Sequence, residues 1–346
     1  MGKADLDKYK KILIVQTAFL GDVILITPLI RAVHELIPAA LIDVLIIPQT
    51  VGALKNNPHL HQVLTFDKRK NKILAFWKIL KILRKNRYDL AITPHSSSTT
   101  AYLLRLAGIS ERLGFDRWHA SKHLTLKAPH YDDRGWHKIQ KNLHLLSVFT
   151  EREFSMQTEL FPSREDKLQA LQWLSEIKYP EKPIIALAPG SVWNTKRWPE
   201  EYYAELCRLI SKHEVNLIFI GGPEEKDICD RVIQSAGITG LNFAGRTKIL
   251  ESAALIELCD LLICNDSGAM HIANAMKTDV MAFFGPTVPS IGYYPYREKD
   301  FIFELDMDCR PCSSHGGKKC PLKHHNCMRK INPELVYDAV KTKFSL

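Results

Sequence analysis

Residues 16–28 read QTAFLGDVILITP and place one glycine and one aspartate between two apolar runs. The run before them, KILIVQ (residues 11–16), is rich in branched aliphatic side chains and is typical of a buried strand. The run after them has helical spacing, so the stretch predicts a strand, a turn and a helix. Such turns often bind phosphate, for which Asp22 has the wrong charge. Its carboxylate therefore needs another explanation.

The same strand-then-helix pattern recurs along the whole chain. Strand-like runs cover residues 11–16, 41–47, 62–66 and 88–93, and then 183–189, 215–222, 261–266 and 279–285. Helical patterns lie between or after these runs. Strands that alternate with helices form parallel sheets. We therefore predict an α/β protein with two Rossmann-like, doubly wound parallel-sheet domains that face each other across a cleft.

The predicted domain boundary lies in a polar, proline-containing stretch at residues 150–166. We assign residues 1–160 to the first domain and residues 161–331 to the second. Residues 332–346 form a terminal helix, because Asn332 and Pro333 are typical of a cap and a first helical position. Ligands of parallel sheets bind beyond the carboxyl ends of the strands, so the loops that follow the strands should carry the functional residues.

Composition is that of a globular protein, with 346 residues, 46% hydrophobic and 25% charged. No run of about 18 uncharged apolar residues predicts a transmembrane helix. The polar N-terminus lacks a signal-peptide pattern, which predicts a cytoplasmic location.

Residues 1–150 hold 23 Lys and Arg against 11 Asp and Glu, whereas residues 151–346 hold 24 against 27. This excess indicates an anionic partner (nucleic acid, lipid headgroups or an acidic glycolipid) or serves solubility alone.

Two loops of the second domain suit a nucleotide. In PGSVWNTKRWP (residues 189–199), Ser191 allows close backbone approach, and Lys196 and Arg197 supply positive charge for a diphosphate. The alternative is a solvated basic loop with Trp198 in the core. After the next strand, Glu224 and Glu225 either bind ribose hydroxyls or complement a helix N-terminus.

The stretch LLICNDSGAMHIANAM (residues 261–276) predicts a third ligand-binding turn. Small residues at the helix start leave backbone amides open to an anion. A histidine one turn later would lie close to the ligand, although a lone helical histidine is often structural. The candidate residues are Asp266, Ser267, Gly268, Ala269 and His271.

Together these segments resemble glycosyltransferase family 9, the ADP-heptose:lipopolysaccharide heptosyltransferases. The matching segments are LGDVILITPLIRAV (20–33), PGSVWNTKRWPEEYYAEL (189–206), IGGPEEKD (220–227), NDSGAMHIANAM (265–276) and FFGPTVP (283–289). The resemblance covers nearly the whole chain and is strongest to the second heptosyltransferase. It implies a GT-B fold, an acceptor-binding first domain, a nucleotide-sugar-binding second domain and a terminal helix that packs back onto the first domain.

The resemblance also implies the reaction, an inverting transfer of heptose from ADP-heptose to the Kdo/heptose inner core of lipopolysaccharide, an anionic glycolipid. Asp22 matches the family's proposed general base; the alternative for Asp22 is a helix N-cap. Lys196 matches the lysine that neutralises the leaving diphosphate, and Ser191 its phosphate-contacting hydroxyl. Glu225 or Glu224 matches the ribose-binding acid. Residues 266–271 match the loop that holds the diphosphate and sugar. In the family, a lysine and helix amides stabilise the negative charge on the leaving diphosphate. The resemblance therefore implies no metal cofactor for the chemistry.

The first domain carries the predicted acceptor site and a membrane-facing helix. The acceptor-binding candidates are Gly21, His95, Ser96, Ser97 and Ser98. The basic helical stretch at residues 68–89, with Lys78, Lys81, Arg84 and Lys85, either contacts an anionic membrane surface or only packs on its sheet. The first alternative predicts a peripheral protein at the inner face of the inner membrane.

Four cysteines crowd into CRPCSSHGGKKCPLKHHNC (residues 309–327). Cys309, Cys312, Cys320 and Cys327 are either structural zinc ligands, with His324 or His325 as substitutes, or part of a metal-free loop near the cleft. Two other functions stay open at this point. One is a GT-B-type sugar-nucleotide epimerase, and the other is a basic nucleic-acid-binding protein with a zinc knuckle. The basic runs lack interleaved aromatic residues, so no nucleic-acid partner is expected.

Overall fold

The computed structural model describes residues 6–67, 71–95, 97–130 and 135–346. The chain divides into two compact units, Met1–Phe161 and Pro162–Leu346. Each unit contains one six-stranded sheet with helices, and every strand pair in both sheets is parallel. The predicted α/β class with two doubly wound sheets is therefore confirmed.

The sheet of the first unit has the strand order β3-β2-β1-β4-β5-β6. Its central strands are continuous apolar runs, as expected for strands buried on both faces. The strands are β1 Lys11–Gln16, β2 Leu41–Ile46, β3 Gln62–Thr65, β4 Leu90–Thr93, β5 Glu111–Phe115 and β6 Leu126–Ala128. The helices are α1 Leu20–Ile24, α2 Thr27–Leu36, α3 Val51–Leu54, α4 Lys72–Asn86, α5 Ser98–Leu106 and α6 Lys138–His144.

The helical run predicted after the first strand is two helices. Helix α1 ends at Ile24, and α2 begins at Thr27 with Pro28 in its first turn. A proline has no backbone N–H to continue the ladder of the preceding turn, but it is tolerated in the first turn of a helix. The Thr27 hydroxyl donates to the Ile24 carbonyl at 2.8 Å and so closes the end of α1.

The sheet of the second unit has the order β12-β11-β10-β7-β8-β9. Read from β9, this is the same order as in the first unit: third, second, first, fourth, fifth and sixth strand. The strands are β7 Ile184–Ala188, β8 Asn216–Phe219, β9 Leu241–Asn242, β10 Leu261–Asn265, β11 Asp279–Phe284 and β12 Phe301–Glu304. The helices are α7 Arg164–Leu174, α8 Glu200–Ile210, α9 Lys226–Ala236, α10 Ile249–Glu257, α11 Gly268–Met276, α12 Asn326–Arg329 and α13 Pro333–Phe344.

The predicted linker packs on the first unit before the second unit begins. Arg31 on α2 donates to the carbonyls of Ser155 and Gln157 at 3.1 and 3.0 Å. The chain then enters α7 through a capping box between Ser163 and Asp166. The last helix, α13, packs on α8 of its own unit. Its predicted contact with the first domain stays a prediction.

No helix in the described part of the chain is long and apolar enough to span a bilayer.

Candidate active site

The loop between β7 and α8 (residues 189–199, the β7–α8 loop) is anchored in the core of the second unit. Trp198 is fully buried and stacks on Phe283 of β11 with ring centroids 4.3 Å apart. Asn265, the last residue of β10, accepts from the Trp198 amide at 2.8 Å and donates to the Pro189 carbonyl at 2.8 Å. One buried carboxamide therefore holds both ends of the loop.

Lys196 lies on this loop in a short 3₁₀ turn and forms an ion pair with Asp266. Its Nζ is 2.6 Å from Asp266 Oδ2, and only 12% and 8% of the two side chains are exposed. The Thr287 hydroxyl donates to the same carboxylate oxygen at 2.7 Å. Two donors from different loops therefore fix Asp266, and Asp266 in turn fixes the position of the lysine.

Arg197 and Ser191 are brought together within the loop. The Arg197 guanidinium donates from Nε and Nη2 to the Ser191 carbonyl at 2.9 and 2.7 Å. Ser191 itself is buried. Arg197 thus stabilises the turn that carries Ser191, a structural contact that the sequence did not predict.

Of the two predicted ribose ligands, only Glu225 lies against the β7–α8 loop. A Cβ atom on Gly190 would overlap the Glu225 carboxylate, so this close approach requires glycine. Glu225 accepts from the Gly222 amide at 2.8 Å, and burial raises the pKa of its carboxyl. Glu224 is exposed. The structure therefore favours Glu225 among these two candidates.

Helix α11 begins beside Asp266. Ser267 is its N-cap residue but makes no side-chain cap hydrogen bond, and Gly268 and Ala269 form the first turn, half-exposed. His271 is buried one turn into the helix. The small residues leave the first amides of the helix accessible, which suits a phosphate oxygen. Lys196 and this helix end thus offer positive charge on two sides of Asp266.

The candidates in the first unit lie after β1 and β4. Gly21 and Asp22 are half-exposed in α1, and the N-cap residue of that helix is Phe19. The alternative of Asp22 as the N-cap is therefore wrong, because Asp22 is the third residue of the helix. His95 and Ser98 are exposed, whereas Ser97 is the N-cap of α5 and its hydroxyl accepts from the Thr100 amide at 3.3 Å. Ser96 lies outside the described residues.

The cysteine-rich segment packs beside the β7–α8 loop. Cys327 is buried, Cys309 and Cys320 are half-buried and Cys312 is exposed. A cavity lined by Cys312, Cys320 and Cys327 opens next to Thr195. Among the described residues, no three His, Cys, Asp or Glu side chains form a group that could hold a metal ion. The zinc hypothesis for the four cysteines stays a prediction for elemental analysis.

Three polar residues at this site were not among the predicted site residues. Each of them holds a loop or a side chain in place by contacting a residue that lies 21 to 122 positions away in the sequence. They are Asn265, Thr287 and Thr195. The signal for Asn265 and Thr287 was their position inside NDSGAM and FFGPTVP. Thr195 gave no signal apart from its place before Lys196.

Comparison with protein families matches residues 76–324 to the model for glycosyltransferase family 9 (heptosyltransferase). Among curated proteins, the chain is 27% identical over 337 residues to lipooligosaccharide heptosyltransferase 2 of Campylobacter jejuni serotype O:2, covering 96% of this chain and 97% of that protein. It is 24% identical over 302 residues to lipopolysaccharide heptosyltransferase 2 of Escherichia coli K12, covering 81% and 84%.

Two solved structures share the fold over nearly the whole chain. A family 9 glycosyltransferase from Veillonella parvula superposes with a TM-score of 0.82 at 24% identity, covering 98% of both chains. The ADP-heptose lipopolysaccharide heptosyltransferase II of E. coli superposes with a TM-score of 0.78 at 22% identity, covering 96% of this chain and 98% of that one. These likenesses confirm the predicted GT-B fold.

Proposed function

Because the chain belongs to glycosyltransferase family 9, we propose that it transfers heptose from ADP-heptose to the inner core of lipopolysaccharide. The curated relatives named as heptosyltransferase 2 support this substrate pair. The family match favours neither the epimerase nor the nucleic-acid-binding alternative.

The observation that carries the proposal is the Lys196–Asp266 pair beside the start of α11. When the anomeric bond of ADP-heptose breaks, negative charge grows on the diphosphate oxygen that leaves. A lysine and open helix amides already in place stabilise that charge without reorganising at the moment of reaction. Asp266 holds Lys196 until the diphosphate shares it, and its own oxygens can accept hydrogen bonds from sugar hydroxyls.

The acceptor hydroxyl must lose its proton as its oxygen attacks the anomeric carbon. We assign that proton to the Asp22 carboxylate, on the family resemblance of the GD pair at residues 21–22. Its half-exposed position in α1, the short helix after β1, supports this role, because a base has to reach a substrate hydroxyl. Attack from the face opposite the leaving diphosphate inverts the anomeric centre. In this account no metal ion is needed to stabilise the leaving group.

The acceptor is anchored in a membrane by its lipid part, and an exposed surface on the first unit suits contact with that membrane. The aromatic and aliphatic side chains of Ile73, Leu74, Trp77 and Tyr102 (the α4 apolar patch) are 74%, 66%, 59% and 46% exposed. The exposed Lys72, Lys78 and Lys81 flank the patch on α4. Apolar side chains with tryptophan and tyrosine, bordered by lysines, are typical of surfaces that bind anionic lipid headgroups.

The donor site is tested by replacing Lys196 with alanine. Lys196→Ala should weaken ADP binding about tenfold, because a charge-assisted contact to the diphosphate is lost. It should also lower kcat for transfer, since the charge on the leaving group grows in the transition state. Lys182→Ala is the matched control, because Lys182 pairs with Glu214 on the exposed surface of the same unit at 2.8 Å. Unchanged ADP affinity and turnover in Lys196→Ala would refute the assignment.

A further inference from the structure

The cysteine-rich segment at residues 309–327 (the thiol loop) makes its closest contacts with the β7–α8 loop at Thr195. The Thr195 amide donates to the Gly317 carbonyl at 3.1 Å, and its hydroxyl donates to the same carbonyl at 2.9 Å. The Gly317 amide lies 2.8 Å from that hydroxyl oxygen. One threonine is therefore joined to one glycine of the thiol loop by three polar contacts.

A second residue of the thiol loop holds the other side of Thr195. His325 Nε2 lies 2.7 Å from the Thr195 carbonyl, and because a carbonyl only accepts, the histidine donates. His325 has a left-handed backbone conformation with φ of 53°. A residue other than glycine adopts this conformation at a cost in free energy, because its Cβ atom comes close to the backbone carbonyl. The contact with Thr195 helps to offset that cost.

Glycine in the thiol loop allows it to approach the lysine itself. Gly316 has φ of 88°, and a Cβ atom there would lie 3.0 Å from Trp193 Cβ and 3.1 Å from Lys196 Cγ. The His315 ring packs on Trp193 with centroids 5.5 Å apart. The thiol loop thus contacts the three residues Trp193, Thr195 and Lys196, which form or flank the short 3₁₀ turn.

We propose that the thiol loop positions Lys196 for the diphosphate by bracing Thr195, with Gly317 and His325 as the positioning residues. This inference rests on the proposed function, because it concerns the same donor site. The Lys196 side chain is held at its tip by Asp266, and its stem runs beside Gly316, where a Cβ atom would lie 3.1 Å from Lys196 Cγ. Its backbone is held by the Thr195 contacts, which lie one residue away. Loss of those contacts would let the 3₁₀ turn shift and move the ammonium away from the diphosphate.

The test is a double-mutant cycle read by calorimetry with ADP. Thr195→Val keeps the shape of the side chain but removes both contacts of the hydroxyl with Gly317. We expect the ADP dissociation constant to rise about three- to tenfold, the usual range for losing a positioned hydrogen bond. In a Lys196→Ala background, the same substitution should change the constant less than about twofold, because a threonine that acts through Lys196 has nothing left to position.

Two comparisons separate positioning from general stability. Thr278→Val removes an equally buried threonine hydroxyl, which donates to the Ile256 carbonyl at 2.6 Å at the start of β11, the end of that strand opposite the site. It should lower the melting temperature and leave the ADP affinity unchanged. His325→Phe should weaken ADP binding as Thr195→Val does. His325→Gln should keep the ADP affinity of the wild type, since a glutamine amide can donate to the Thr195 carbonyl.

Equal effects of Thr195→Val with and without Lys196 would overturn the inference, as would an unchanged ADP affinity in both Thr195→Val and His325→Phe. If Thr195→Val does not fold, the two His325 variants decide the matter alone. A wild-type protein that fails to bind ADP would instead refute the proposed function and, with it, this inference.

Discussion

Asp22 lies at the third position of the short helix α1, where a carboxylate also interacts favourably with the helix N-terminus. An electrostatic role at the helix and a role as base make different predictions for an isosteric amide. Asparagine at this position keeps the shape of the side chain but cannot accept a proton from the acceptor hydroxyl.

Asp22→Asn should therefore lower kcat about a hundredfold or more, the range expected when a general base is removed. ADP affinity should remain at the wild-type value, since the donor residues belong to the other unit. A transfer assay and calorimetry on the same preparation measure both effects. Near-normal turnover would limit Asp22 to a structural role in α1, and lost ADP binding would mean that the substitution disturbs more than the base.

The ionised carboxylate of Glu225 is expected to have opposite effects on the stability of the fold and on ligand binding. Because burial raises the pKa of its carboxyl, the folded protein holds the proton to a higher pH than the unfolded chain. Stability is thus lost as pH rises from the ordinary glutamate pKa through the raised value. Burial thus disfavours the ionised carboxylate, whereas that ionised form is the better acceptor for ribose hydroxyls.

Glu225→Gln should therefore raise the melting temperature more at pH 7 than at pH 4, because the neutral amide carries no charge that burial disfavours. It should weaken ADP binding about tenfold through the lost charge-assisted hydrogen bonds. Glu224→Gln is the control, because Glu224 is exposed and should change neither quantity. A destabilised Glu225→Gln variant with normal ADP affinity would contradict both roles.

At the scale of elements, α4 presents its first turn to solvent. Ring contacts link Phe76 to Trp77 and to Tyr102 on α5, with centroids 6.0 and 6.5 Å apart, so the α4 apolar patch spans two helices. The C-terminal half of the helix is anchored by the buried Ile79, Leu80 and Leu83. Changes in the first turn should therefore leave the fold intact.

Leu74→Ser combined with Trp77→Ser should reduce binding to vesicles of phosphatidylcholine and phosphatidylglycerol about tenfold or more, given the apolar area withdrawn from the lipid. Leu168→Ser with Leu171→Ser is the control, because these two exposed leucines have the same spacing on α7. Cosedimentation measures the bound fraction. Equal binding by both double variants, or no preference of the wild type for anionic vesicles, would count against the membrane surface.

Strands with continuous apolar side chains could be predicted from the sequence, and β1, β2, β3, β4, β7, β8, β10 and β11 were. The strands β5 (ERLGF), β6 (LKA), β9 (LN) and β12 (FIFE) were missed. They are short or carry charged residues, and β6, β9 and β12 lie at sheet edges. Pairing with a neighbouring strand decides their conformation, which local sequence does not report.

The donor site could be predicted where its residues lie in one segment. Lys196, Asp266 and the start of α11, which the structure brings together, were singled out because each belongs to a strand–turn–helix pattern. The contact of Thr195 with Gly317 was not, because 122 residues separate the two and neither carries a charge. The choice of Glu225 over Glu224 likewise needed the packing against Gly190.

At the scale of the whole molecule, positive charge is distributed unevenly along the chain. The net positive charge falls in residues 1–150, which include the α4 apolar patch, whereas residues 151–346 hold 24 Lys and Arg against 27 Asp and Glu and are slightly negative overall. A basic first domain suits an acceptor that carries phosphate and acidic sugars.

We propose that the transfer needs no metal ion, and the complete enzyme tests this. EDTA should leave most of the transfer activity intact, because Lys196 and the α11 amides stabilise the leaving diphosphate. Complete loss of activity that magnesium restores would refute this mechanism. If Cys309, Cys312, Cys320 and Cys327 hold zinc, elemental analysis of the same preparation should find about one equivalent per chain. A folded, active and metal-free protein would dismiss the zinc hypothesis.

The most direct test of the central claim is the product itself. Purified protein is incubated with ADP-heptose and a Kdo-bearing lipid A acceptor that carries one heptose, and the lipid is analysed by mass spectrometry. The account predicts a mass gain of one heptose residue with release of one ADP, formed more slowly by Asp22→Asn and by Lys196→Ala at equal enzyme concentration. An unmodified lipid beside intact or epimerised ADP-heptose would contradict the assignment as a heptosyltransferase.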